Sequence, residues 1–281
     1  MEPKGQVKSS AGAERFAVIA GNGRFPFFVV EAAREQGIHP LVVAIKEEAS
    51  PELSRKAESV RWLGLSEVAQ CLELLGSERI TKVVLAGQVK HAQIFGGVRG
   101  DSLAAEALNA MDRKNTDALI GAFVEMIELR GIEVVDSTFF LKPLIAAPGA
   151  IAARRPDEKE MADIAYGREI AKQIAALDVG QTAVIADHAC VAVEAMEGTD
   201  LTIERAGTLC NGKPLVVVKV SKPSQDMRFD VPVAGVKTIQ VMKRANARVL
   251  ALDAGKTLLF DRERMIAEAD AAGIAIWGME A

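Results

Sequence analysis

The sequence predicts an α/β protein in two parts: an N-terminal, Rossmann-like domain on a largely parallel sheet, then a C-terminal α/β domain with a mixed sheet. Three observations carry this. Through the first half, short runs of Val, Ile, Leu and Ala alternate with helix-periodic segments, the pattern of strands joined by crossover helices. In the second half strand-like runs follow one another through tight turns as well as through helices, which mixes hairpins with crossovers. Apolar residues make up 49% of the 281 residues but aromatics only 5%, so the core is aliphatic, as suits helices laid on a sheet.

In chain order, Phe16–Ala20 reads as a strand ended by Gly21-Asn22-Gly23. A helix is expected from Pro26 to Gln36, with proline in its first turn and Gly37 as its stop. Strands are expected at 41–45, 60–65, 82–86 and 132–135, with helices at 67–75, 102–111 and 116–130. Asp136–Gly149 holds two prolines and no clear period, and reads as a linker. A long helix is then expected over 156–176. Further strands are expected near 182–187, 190–195, 214–220, 247–252, 256–260 and 273–277, and helices near 200–211, 236–244 and 261–272. The division expected is a tail over 1–14, a first domain over 15–135, a linker over 136–149 and a second domain over 150–281.

Bulk properties narrow the function. The net charge is −4 and the isoelectric point about 5.6, and no basic patch argues for nucleic acid. Cys71, Cys190 and Cys210 are odd in number and widely spaced, which suits a reducing compartment better than a disulfide framework or zinc site. No apolar run reaches membrane-spanning length. Residues 1–14 are polar, lack the apolar core of a signal peptide and are expected to be disordered; the expected location is the cytoplasm.

Ser221 to Pro232 carries the most chemistry. It follows the apolar strand Leu215–Val220 and places Lys222, Gln225, Asp226, Arg228 and Asp230 at one strand edge, the edge where open α/β folds bind ligands. Two carboxylates beside two cations suit a reaction that holds phosphate together with a metal or water; a solvated loop with internal ion pairs is the plainer alternative. If 224–230 is extended, Asp226, Arg228 and Asp230 share a side, and the two acids could hold Mg²⁺ or Mn²⁺. Lys222 and Arg228 would meet phosphate.

Gly198-Thr199-Asp200 before a helix offers backbone N–H groups and an N-cap hydroxyl, an anion site or an ordinary helix start. Gln181 could bind a sugar or phosphate oxygen, and Glu197 or Asp200 could hold metal; Glu194 reads equally as an outward strand residue. Gly21, Asn22 and Gly23 form a strand–loop–helix passage that could approach phosphate, with Gly87 and Gln88 at the same sheet edge. The third glycine of the dinucleotide fingerprint falls at Pro26, so the match to nicotinamide binding is poor. His39, His91 and His188 are not at metal-ligand spacing.

The segments "VAVEAMEGTD" (191–200) and "VVVKVSKPSQDMRFDVPVAGVKTI" (216–239) resemble the LpxI family of UDP-2,3-diacylglucosamine pyrophosphatases. "FAVIAGNGRFPFFVVEAAREQG", "KVVLAGQVK" and "ALDVGQTAVIADHACVAVEA" fit as well, so the resemblance spans roughly residues 15–279. Asn115-Thr116-Asp117 departs from the Gly-Asp-Asp run often found in the family. The resemblance implies hydrolysis of UDP-2,3-diacylglucosamine to UMP and 2,3-diacylglucosamine 1-phosphate in lipid A synthesis, assisted by Mg²⁺ or Mn²⁺. It implies water attack at the α-phosphorus, Asp230 as the acid on which the reaction most depends, a homodimer, and passing contact with the inner membrane. The rival readings are a nicotinamide-dependent oxidoreductase and a non-catalytic nucleotide-sugar or lipid-binding protein.

Overall fold

The computed structural model describes residues 14–89, 116–223 and 225–280. The helix expected at 102–111, His91 and Asn115 lie outside them. The chain divides into two units, the boundary falling between Phe140 and Leu141.

The first unit runs β1 (Phe16–Ala20), α1 (Phe25–Glu35), β2 (Leu41–Ile45), α2 (Leu53–Lys56), β3 (Ser59–Leu63), α3 (Val68–Ser77), β4 (Lys82–Ala86), α4 (Thr116–Glu128) and β5 (Glu133–Val135). Its five strands are ordered β3-β2-β1-β4-β5, and every pair is parallel. Ala17–Ala20, Val42–Ala44, Val83 and Val84 are all buried, because parallel strands covered on both faces need unbroken apolar runs instead of an alternation. This order reverses between β1 and β4, so the loops after those strands flank the crevice where such folds take ligands.

The predicted linker 136–149 carries local structure along its length. In the first unit the Ser137 hydroxyl, fully buried, donates to Leu85 O at 2.5 Å, and Phe139 and Phe140 meet Phe16 edge-on or tilted. In the second unit Lys142–Leu144 forms a 3₁₀ turn and Gly149–Ala150 a short strand, β6.

The second unit continues with α5 (Glu158–Ala176), β7 (Thr182–Ala186), β8 (Ala189–Val193), α6 (Thr199–Leu209), β9 (Leu215–Lys219), β10 (Val233–Gly235), α7 (Val236–Arg244), β11 (Ala247–Asp253), β12 (Leu258–Phe260), α8 (Arg262–Ala271) and β13 (Ala275–Met279). Six strands form a mixed sheet, β6-β13-β11-β9-β7-β8, and β10 pairs with β12 beside it. Helix α5 opens with a capping box in which Asp157 and Glu160 satisfy each other's backbone N–H,. It covers one face through Ile164, Ala171 and Ala175, which pack on Ile185, Val216, Val218 and Val249. Helices α6, α7 and α8 cover the other face, with Ile203, Ile239, Met242 and Met265 packed on Val184, Val217 and Leu250.

Strands β9, β11 and β13 run parallel to one another, and β7 runs against β9. The ends of β8, β9, β11 and β13 and the start of β7 therefore share one edge of the sheet. Among the described residues no helix is long and apolar enough to cross a membrane.

Candidate active site

The shared edge of the second sheet gathers most of the residues singled out from the sequence. Gln181 enters β7, Glu194 leaves β8, and Gly198, Thr199 and Asp200 open α6, while Lys222 to Asp230 lie in the connection from β9 to β10. Gly180 sets the spacing. A Cβ there would collide with the backbone oxygen of Glu194, so only glycine lets the two loops close up and the Glu194 carboxylate accept from Gln181 N at 3.3 Å.

Residues 226–230 are not extended, so the condition under which Asp226, Arg228 and Asp230 would share a side is not met. Phe229 N and Asp230 N both donate to Asp226 O, at 3.2 and 2.9 Å, which curls 226–230 into a turn. The sequence itself supplies the reason. Asp226 accepts from the Arg228 backbone N–H at 3.0 Å and from the guanidinium at 3.0 Å (Nε to Oδ1) and 2.7 Å (Nη2 to Oδ2), a short-range side-chain clamp that competes with extended backbone. Gln225 ties the loop ends, its Oε1 accepting from Lys222 N at 2.6 Å and its Nε2 donating to Asp230 O. The Arg228 guanidinium, helped less by the Arg228 backbone N–H, holds the Asp226 carboxyl below the usual range against the opposing effect of burial.

The turn separates the two acids that an extended run would have aligned. Asp226 belongs to Arg228, whereas Asp230 faces Lys222, with Nζ 3.3 Å from its Oδ2. Lys222 also reaches Asp178 at 2.9 Å. Asp230 keeps 28% of its side chain exposed, enough for a ligand to reach it.

One residue that pattern reading passed over stands at the centre. Lys219 ends the apolar strand β9 and was counted there as part of a hydrophobic run. It is the register partner of Thr182 on β7 and turns towards the face covered by α6. Its ammonium donates to Thr199 Oγ1 at 3.1 Å and to Val233 O at 3.2 Å. Thr199 in turn donates to Glu194 Oε1 at 3.0 Å and lies 3.2 Å from the Thr182 hydroxyl. Burial pushes the Lys219 pKa down, and the charges of Glu194, Asp200 and Asp230 push it back up. A lysine at the end of an otherwise Leu and Val strand was the available signal, since a charge there needs a partner.

Thr199 therefore does not cap α6 as expected. Gly198, with φ of 81°, occupies the N-cap with no side-chain bond to the helix, and the Thr199 hydroxyl serves the Lys219–Glu194 chain instead. Gln181 brings a further polar atom: its Oε1 is buried and accepts no hydrogen bond among the described residues.

The other acids proposed for a metal are committed elsewhere. Glu197 takes Arg205 at 2.6 Å and Ala195 N at 3.1 Å, and Asp200 takes Lys237 at 3.0 Å and the Thr238 hydroxyl at 3.2 Å. Among the described residues no three His, Cys, Asp or Glu side chains converge as a metal cage would need. The donor set does fit a cation that arrives with phosphate oxygens of its own, since Mg²⁺ commonly takes one or two carboxylates and completes its shell with water and substrate; Asp230, which faces Lys222 at 3.3 Å, would be the protein ligand.

At the corresponding edge of the first sheet, Gly21 and Asn22 meet Gly87 and Gln88 as backbone, while a Cβ at Gly23 would meet nothing within 4 Å. Asn22 N donates to Gln88 O at 2.7 Å and Gln88 N to Asn22 O at 3.1 Å. A Cβ on Gly21 would stand 2.6 Å from Gln88 O, and one on Gly87 2.6 Å from Asn22 O. Close approach of these two loops accounts for both glycines. The Asn22 side chain donates to Glu48 at 3.2 Å.

Two family models match the chain: the LpxI N-terminal domain over residues 15–144 and the LpxI C-terminal domain over residues 147–277. A curated relative, the UDP-2,3-diacylglucosamine pyrophosphatase LpxI of Caulobacter vibrioides, is 29% identical over 95% of this chain and 98% of its own. Among solved structures, the biotin carboxylase domain of a Hydrogenobacter thermophilus 2-oxoglutarate carboxylase aligns at 14% identity and a TM-score of 0.28 over 62% of this chain. This chain covers about a third of that one (35%), and a likeness so slight carries no argument.

Proposed function

The chain belongs to the LpxI family, and on that footing we propose that it hydrolyses UDP-2,3-diacylglucosamine to UMP and 2,3-diacylglucosamine 1-phosphate, a step of lipid A synthesis. The observation that carries the reading is end-to-end agreement with a relative of that activity, 98% of whose length is aligned. The arrangement around Asp230 supports it.

A diphosphate carries two negative charges into the site. Lys222 and Arg228 neutralise it from the loop through charge-assisted hydrogen bonds, and the enclosed Lys219 adds a cation at the base of the edge. Gln181 Oε1, which accepts no hydrogen bond among the described residues, accepts from a sugar or nucleotide group, and the N–H groups that open α6 at Gly198 and Thr199 face anionic oxygens favourably. Asp230 orients the attacking water and takes up one of its protons. The water oxygen bonds to the α-phosphorus of the UDP part as the bridging P–O bond breaks. The electron pair leaves with the lipid 1-phosphate, and the second proton passes to solvent. Asp230 would be the protein group to hold Mg²⁺ or Mn²⁺, and the ion would supply charge neutralisation of the diphosphate.

The substrate bears two acyl chains, so the protein meets the inner membrane surface in passing. Exposed Leu177, Met196 and Leu201, all beside the same sheet edge, support that reading. A homodimer is the proposed working state.

Purified protein incubated with UDP-2,3-diacylglucosamine and Mg²⁺ should yield UMP and 2,3-diacylglucosamine 1-phosphate by mass analysis. Substrate bound but returned intact would favour a lipid-nucleotide binding protein, and nicotinamide binding without UMP release would favour the oxidoreductase.

A further inference from the structure

Asp253 is a buried carboxylate that the reaction above does not use. It ends β11 with 4% exposure and faces α5, on the opposite side of the sheet from Lys219. Its Oδ2 accepts from Lys172 Nζ at 2.6 Å, from Ser221 N at 2.8 Å and from the Ser221 hydroxyl at 2.7 Å. Arg168 Nη2 lies 4.0 Å from the other oxygen, which is buried and accepts no hydrogen bond among the described residues. Burial alone would raise its pKa, but the bonds from Lys172 and Ser221 outweigh it and hold the group charged.

Ser221 is where the chain leaves the sheet for the Lys222–Asp230 loop, and it is fully buried. One carboxylate oxygen thus fixes both the backbone and the side chain of the first loop residue, and Lys172 fixes that oxygen from α5. A one-ångström displacement of positioned groups can cost on the order of a hundredfold in rate, and the next residue, Lys222, pairs with Asp230.

We infer that Asp253 is the positioning residue of the 221–230 loop, acting through Ser221 and held in place by Lys172. The catalytic part of this inference rests on the function proposed above; the structural part does not.

The test replaces the pair together. Asp253→Leu with Lys172→Met removes the acceptor while leaving no unpaired buried charge, the condition under which such replacements keep a protein folded. Asp253→Asn keeps a carbonyl oxygen for Ser221. Hydrogen exchange is read on the amides of Lys222, Gln225, Arg228, Phe229 and Asp230, all hydrogen-bond donors within the loop.

In the double variant those amides should exchange about tenfold faster or more, while β9 and β11 keep their protection. Turnover of UDP-2,3-diacylglucosamine should fall on the order of a hundredfold, with Asp253→Asn retaining most of both properties. Unchanged loop exchange in the double variant, or faster exchange spread over β9 and β11, would overturn the inference. A wild-type protein that fails to hydrolyse the substrate would count against the proposed function alone, because the exchange pattern still decides whether Asp253 holds the loop.

Discussion

The two sheets present the same kind of edge and finish it in opposite ways. After β1 and β4 the loops of the first unit join through backbone, Asn22 to Gln88 in both directions, and glycine is needed because the loops are too close for a Cβ. At the edge of the second unit the loops are held by side chains: Gln225 across the loop, Arg228 on Asp226, Asp253 on Ser221, and Thr199 between Lys219 and Glu194. A backbone closure is insensitive to most side-chain changes and sensitive to any added Cβ. A side-chain closure can place charge at atomic precision, but each member depends on the others. The first edge is suited to shape and the second to chemistry.

The largest effect that separates the two edges should come from Asp230→Ala. Loss of a group that acts chiefly in the transition state should lower turnover on the order of a hundredfold or more with substrate still bound, read by steady-state kinetics and a direct binding titration. Near-normal turnover in folded protein would move the chemistry elsewhere.

Lys219→Met should follow, lowering turnover about tenfold to a hundredfold if its ammonium meets the diphosphate. The same variant has a stability signature. A lysine with a lowered folded-state pKa binds its proton less well folded than unfolded, so stability rises with pH between the lowered value and the ordinary one near 10.4. That rise should be present in the wild type and absent from Lys219→Met when thermal unfolding is followed across alkaline pH; parallel curves would remove the buried cation from the site.

Gly87→Ala tests the first edge. With φ of 95° and a Cβ 2.6 Å from Asn22 O, it should cost about 1–3 kcal/mol of stability, seen as a lower denaturant midpoint. No loss would mean that the two loops are free to part.

Asp226→Asn should act least and only above acid pH. Arg228 lowers the Asp226 pKa in the folded state, so its stabilising share is complete above the unfolded value near pH 4 and disappears as pH falls through the depressed one. Wild type and variant should therefore differ in melting temperature near neutrality and converge on acidification.

Local sequence signals located most of this fold. Phe16–Ala20, Leu41–Ile45, Lys82–Ala86 and the helix Val236–Arg244 form at the predicted residues, because unbroken apolar runs and amphipathic spacing are local properties. The charged loop was also legible, from its abrupt change of composition. Its shape was not, because the Asp226–Arg228 clamp curls 226–230 into a turn that composition alone does not reveal. Lys219 and Asp253 were hidden for a different reason. Each is a charge at the end of a largely apolar strand, and its partners lie far along the chain, as with Lys172 and Asp253, which are 81 positions apart. Thr199 looked like a helix cap because its sequence neighbours allow one; only the fold reveals the competing bond from Lys219.

The account turns on hydrolysis of the diphosphate at this charged edge, and the most direct measurement is turnover of UDP-2,3-diacylglucosamine in H₂¹⁸O with mass analysis of both products. One ¹⁸O atom in UMP and none in 2,3-diacylglucosamine 1-phosphate is the predicted result. Label in the lipid phosphate would contradict attack at the α-phosphorus, and products without label would contradict hydrolysis by water.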